Sequence, residues 1–154
     1  NTQTMQRVDL RQLCEMLLET HLDAAAAKEM DLGLDVVDVH ATGHEWLLRE
    51  LLGNLLDNAL QHTPASGTVT LTGSLGRMGG EPAVILQVRD SGIGLRHDEA
   101  ERIFDRFVKG AGSPGSGLGL TIARAIVEAH HGTLTAHSDG PGKGAQFTTT
   151  LPVG

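Results

Sequence analysis

One cysteine, Cys14, is the whole thiol content of the 154-residue chain, so no internal disulfide can form. Its place in an apolar helical pattern marks a buried, inert thiol, and a lone cysteine suits a reducing compartment. No apolar run approaches the roughly 20 residues that span a bilayer, so no membrane contact is expected of this segment. The first ten residues are polar and lack the apolar core of a signal peptide. A basic excess is missing too: 12 Lys and Arg stand against 19 Asp and Glu, a formal net charge of −7. That balance argues against nucleic acid as a partner, because there is no positive field to release counterions. An anionic ligand must then be held by local features. Neither a His-Glu-x-x-His pattern nor a Walker A loop occurs; the only Gly-Lys pair, Gly142-Lys143, is followed by Gly144. Repeats, linkers and low-complexity tracts are absent as well. With 40% hydrophobic and 20% charged residues, residues 1–154 are expected to form one globular domain.

Periodicity orders the chain. Asp9 is a plausible N-cap for a helix running to about Glu29, with Leu10, Leu13, Cys14, Leu17 and Leu18 as its apolar stripe. Residues 31–40 alternate as a strand with room for a break. Thr42 is a candidate cap for a second helix over 44–62, which Thr63-Pro64 ends. Residues 68–75 and 83–88 read as an antiparallel hairpin around Gly79-Gly80. A short helix is expected over 99–107 and a mobile Gly/Ser-rich loop over 110–117. A helix over 118–130 and strands over 132–136 and 146–151 close the chain. The predicted class is α/β: a two-layer sandwich with a mixed β-sheet and about three α-helices on one face.

Three segments carry chemistry. At helical spacing Glu50, Asn54, Asn58 and Gln61 share one stripe, and neutral Asn oxygens are hard ligands suited to Mg²⁺. Alone, this also reads as a solvated polar face. Asp90-Ser91-Gly92-Ile93-Gly94 follows a strand; its carboxylate can accept from an exocyclic amine, and Gly92 and Gly94 let backbone approach a flat ring. Alone, it also reads as an ordinary turn. Gly115-Ser116-Gly117-Leu118-Gly119 leads into a helix start, where free N–H groups and the dipole favour phosphate. Alone, it also reads as a surface loop. Together the three supply what a Mg-nucleotide needs.

In this order, with Phe104-Asp105-Arg106-Phe107 and Gly142-Lys143-Gly144-Ala145-Gln146-Phe147, the segments resemble the ATP-binding catalytic domain of bacterial sensor histidine kinases. That domain belongs to the superfamily of gyrase, heat-shock chaperone, histidine kinase and MutL. The resemblance spans about residues 8–153. It implies ATP and Mg²⁺ as cofactors, with Asn54 and Asn58 holding metal and phosphates and Asn58 the stronger metal candidate. It implies that Asp90 binds adenine N6, that Gly92 and Gly94 line the base, and that Phe104 and Phe107 anchor a mobile ATP lid. Gly115, Gly117, Leu118 and Gly119 would wrap the phosphates. Where gyrase-like ATPases carry a water-activating Glu, Asn54 stands here, and an amide cannot be that base.

The implied reaction is transfer of the γ-phosphoryl group to a His on a separate dimerisation domain, then to a response regulator receiver domain. Gln61 stands where many members carry Lys or Arg, and Lys109 or Arg106 would supply that charge. His131 replaces a frequent Gly, and Ala145 a frequent Thr. No His followed by an acidic residue and a nearby Pro occurs: His44-Glu45 and His97-Asp98 lack the proline. The phosphoacceptor module is therefore expected outside this segment, which reads as a C-terminal part of a longer kinase, cytoplasmic and joined to an inner-membrane sensor. Alone it is not expected to autophosphorylate. The alternatives are a stand-alone anti-sigma-type serine kinase and a non-catalytic nucleotide-sensing module.

Overall fold

The computed structural model describes residues 4–105 and 118–154. The elements are β1 (Gln6–Asp9), α1 (Leu10–Ala27), β2 (Asp31–Val36), β3 (His40–Gly43), α2 (Glu45–His62), β4 (Thr68–Met78), β5 (Glu81–Asp90), α3 (His97–Arg102), α4 (Gly119–Ala129), β6 (Thr133–His137) and β7 (Ala145–Pro152). Five strands form a mixed sheet in the order β2-β4-β5-β7-β6, with β2 and β4 parallel and the rest antiparallel. A parallel neighbour needs a crossover, and α2 supplies it between β2 and β4. The β4–β5 turn is Gly79-Gly80, both at positive φ, as a two-residue hairpin of this hand requires.

Strand alternation separates the two faces of the sheet. Val69, Leu71, Leu86, Val88, Phe147 and Leu151 are buried beneath the helices. The opposite face is a polar ladder: Gln87 donates to Thr148 Oγ1 at 3.2 Å, and Arg89 Nε donates to Gln146 Oε1 at 3.0 Å. Helix α2 lies between α1 and α4 and also touches β5. Its Leu48, Leu51, Leu52, Leu55, Leu56 and Ala59 are all buried, so this one helix carries much of the core. The expected two-layer sandwich is the observed architecture.

The ends of several elements differ from the sequence reading. The stretch over 31–40 is two strands: β2 stops at Val36, and β3 leaves the main sheet to pair with β1. Strand β1 went unpredicted, being four residues long and dependent on a distant partner. Thr42 is not a helix cap. It lies in β3 opposite Arg7, and its N–H donates to the Val153 carbonyl. The N-cap is His44, without a side-chain cap hydrogen bond. Strand β4 continues to Met78, three residues beyond the apolar alternation, because β5 pairs with it up to the turn. The short helix spans His97–Arg102. The loop over 110–117 lies outside the described residues.

Cys14 is fully buried and its thiol is pushed up to about 12, chiefly by burial. It is the inert thiol expected. Leu52→Ala in α2 should lower the unfolding free energy by about 2–5 kcal/mol, because the site cannot collapse around the lost methyls. Urea unfolding at unchanged slope checks this. A loss below about 1 kcal/mol would show that the core does not depend on α2.

Candidate functional site

The site forms where the C-terminal half of α2 meets the ends of β5 and β7. A helix end leaves carbonyls unpaired, and here outside groups meet them. Thr63 Oγ1 donates to Ala59 O at 2.7 Å, Lys28 Nζ to Leu60 O at 2.7 Å, and Ile93 N to His62 O at 3.0 Å. The His62 ring adds a 2.7 Å bond from Nδ1 to Asn58 O, one turn back. Helix α2 is thereby fixed against the loop that follows Asp90.

Asp90 ends β5 on the same face as Val88, so alternation drives its carboxylate inward, and it is only 6% exposed. Oδ1 accepts from Gly92 N at 2.8 Å and Ala145 N at 3.2 Å. Among the described residues Oδ2 accepts no hydrogen bond. Burial pushes the Asp90 carboxyl above its ordinary range, while the two N–H bonds and the nearby His62 pull it back.

Backbone closes around this residue. A Cβ on Gly92 would meet the His62 carbonyl oxygen at 2.1 Å, and one on Gly94, at φ +72°, would meet the Gly140 carbonyl oxygen at 2.2 Å. These glycines therefore allow close backbone packing within the chain: Gly92 against the end of α2, Gly94 against the β6–β7 turn. Ser138 strengthens the second contact. It accepts from Leu95 N at 3.0 Å and donates to Gly144 O at 2.6 Å.

Asp90 lies in a cleft with Asn58, His62, Ile93, Gly94, Leu95, Ile103, Ala145 and Phe147. It has apolar walls and few polar groups, as small-molecule sites do. Asn58 and Asp90 share it, and Gly94 lines it while Gly92 stands behind. Asn54, one turn earlier on α2, donates from Nδ2 to Gly119 O at 3.2 Å, which ties α2 to the first turn of α4. Leu118 precedes that turn as its N-cap. Phe104 is buried, packs edge-on against Phe147 at 5.9 Å, and its carbonyl accepts from Thr121 Oγ1 at 3.0 Å. Arg106, Phe107, Lys109, Gly115 and Gly117 lie outside the described residues.

Gln61 is exposed and outside the cleft; His62 takes the place on the stripe that Gln61 was expected to fill. The signal was present, since Asn54, Asn58 and His62 recur at intervals of four. The apolar walls Leu95, Ile103 and Phe147 had no such signal, because nothing local says that they converge.

The family model for histidine kinase-, DNA gyrase B-, and HSP90-like ATPases matches residues 43–154, and the chain belongs to that family. The sensor histidine kinase RppB of Synechocystis sp. is 39% identical over 151 residues, covering 94% of this chain and 32% of the relative. The chain thus spans about a third of that relative's length. A mycobacterial sensor histidine kinase, MprB, superposes with TM-score 0.84 at 26% identity and 97% coverage of both chains. Full-length ShkA, solved in complex with AMPPNP, gives TM-score 0.85 at 28% identity, covering 99% of this chain and 32% of its own.

Because the fold raises its carboxyl, Asp90 favours the native state most in acid, and that contribution is lost as pH rises through the raised value. At neutral pH the ionised group is a cost. Asp90→Asn keeps an oxygen for the two N–H donors and removes the buried charge. Its urea midpoint at pH 7 should equal or exceed that of the parent, and the difference should shrink as pH falls through the raised value towards about 4, where the unfolded carboxyl also protonates. A midpoint clearly below the parent at pH 7 would show that ionised Asp90 holds the fold together.

Proposed function

We propose that this domain binds Mg²⁺-ATP and presents its γ-phosphoryl group for transfer to a histidine on the dimerisation helices of a longer sensor kinase. The observation that carries the reading is the Asp90 carboxylate: buried, fixed through Oδ1, with Oδ2 left for a donor inside an apolar cleft. An exocyclic amine such as adenine N6 satisfies that oxygen, and Ile93, Leu95, Ile103 and Phe147 suit the rest of a flat base. Guanine presents a carbonyl at the corresponding position, where it would face the carboxylate unfavourably.

The donor chemistry also suits Mg²⁺. Asn58 would hold it, with the remaining amide oxygen of Asn54 as second candidate; when bound, the ion supplies charge neutralisation on the phosphates. Gly115, Gly117, Leu118 and Gly119 would enclose the phosphate end, with Lys109 or Arg106 as cation in place of Gln61. The Asn54–Gly119 bond joins the start of α4 to α2. Positioning and charge neutralisation dominate phosphoryl transfer, and the residues here fit those tasks. Asn54 offers no base for water, which favours transfer over hydrolysis.

The receiving His would sit on the dimerisation and phosphoacceptor helices, and a response regulator receiver domain would then take the group. Among the described residues no helix is long and apolar enough to cross a membrane. We place this domain on the cytoplasmic side of an inner-membrane sensor. By itself it should not autophosphorylate. Supplying the helical hairpin of the whole kinase should restore His phosphorylation, whereas labelling of a partner Ser would make the domain a stand-alone serine kinase.

Calorimetry with ATP, ADP and GTP, each with and without Mg²⁺, tests the site. ATP and ADP should bind and GTP should not. Asp90→Asn should weaken ADP by about 10- to 100-fold, the worth of a hydrogen bond to a charged group. Unchanged ADP affinity would remove Asp90 from adenine recognition. Asn58→Ala should abolish most of the Mg²⁺ dependence of ATP binding, and persistence of that dependence would reassign the metal ligand.

A further inference from the structure

The β1–β3 ribbon gathers metal-ligating side chains that the nucleotide site does not use. Asp9 and His40 are directly opposed in the β1–β3 register, so their side chains leave the same face of the ribbon. Asp38 sits two residues before His40, in the turn between β2 and β3. One donor atom from each of Asp9, Asp38 and His40 lies within 4.8 Å of the other two. We infer that these three residues form a divalent-cation site of the zinc class, separate from the proposed Mg²⁺ position.

Four observations support the assignment. The backbone beneath the cluster is pinned: Leu10 N donates to Val39 O at 3.0 Å, and Asp9 Oδ1 caps α1 through Gln12 N at 3.0 Å, leaving Oδ2 as a ligand. The other two donors are uncommitted: the Asp38 and His40 side chains have no hydrogen bond or ion pair among the described residues. Arg7 lines a groove with Asp38 and His40, and among the described residues neither Asp9 nor Asp38 forms an ion pair. The groove is open to solvent beside Thr42, Leu75 and Val153, which leaves room for water to complete the coordination.

The donor set chooses the metal. Two carboxylates and an imidazole match zinc, with bonds of about 2.0–2.2 Å; Mg²⁺ prefers oxygen ligands alone. Such bonds need donor separations near ~3.4 Å, against a present spread of at most 4.8 Å. Two carboxylates also balance the charge of a divalent ion. Bound there, it would clasp β1, the 37–39 turn and β3 together.

The 154-residue chain, stripped with chelator and free of nucleotide, should be titrated with zinc chloride by calorimetry. Saturable one-to-one binding is expected, with a rise in melting temperature. His40→Ala and Asp38→Asn, neither of which touches the core, should each weaken zinc at least tenfold and abolish that rise. His137→Ala, at an exposed ring elsewhere, should leave both unchanged. No saturable binding to the folded chain, or equal binding by the His40 and Asp38 variants, would overturn the site. Neither result bears on ATP, which is read in a separate titration.

Discussion

The structure turns on how one helix end is finished. Helix α2 delivers Asn54, Asn58 and His62 to the site, and their height above the sheet depends on where its last turn stops. That turn is held by Lys28 from beyond α1, by Thr63 after the helix, and by Ile93 from the loop after β5. The Ile93 bond matters most, because the same loop begins with Asp90. The amides of Asn54 and Asn58 and the carboxylate of Asp90 are thus fixed to each other by backbone rather than by side-chain contact. Gly92 is needed because any larger residue would push these two parts away from each other.

Much of this could be read from residues alone, for identifiable reasons. The long helices were visible because Leu51, Leu52, Leu55 and Leu56 repeat at helical spacing. Asp90 was visible because its Asp-Ser-Gly-x-Gly segment, an ordinary turn when taken alone, stands in order between the asparagine helix and the second glycine-rich segment. The β1–β3 ribbon was not visible: its strands are four residues each and owe their form to pairing across more than thirty positions. Thr42 looked like a cap because propensity is local, yet Val153 claims its N–H from the other end of the chain. Gly92 and Gly94 were expected to admit a ligand; in the structure they also admit close approach of other backbone. Both uses demand a missing Cβ, so sequence cannot separate them.

Ala145 shows how pairing and chemistry meet. It opens β7 opposite Asp90, and its N–H supports the carboxylate while its methyl faces the cleft. A threonine, frequent in the resembling kinases, would keep the N–H and add a hydroxyl to the cleft wall. The alanine leaves Asp90 as the principal polar group on the β5–β7 side of the cleft. On the other side stand Asn58 and His62. The polar chemistry of the cleft is therefore concentrated in few atoms.

Strand β7 starts beside Asp90 and ends at Pro152, seven steps or about 24 Å away at ordinary strand rise. At that far end Val153 meets Thr42, and Thr42 pairs with Arg7 of β1. Both entry and exit of the described chain are thus moored on one small ribbon, outside the main sheet. A neighbouring module grafted through either mooring would swing the domain like a bucket on its handle. The mouth of the cleft would travel through space while its internal spacing stayed unaltered.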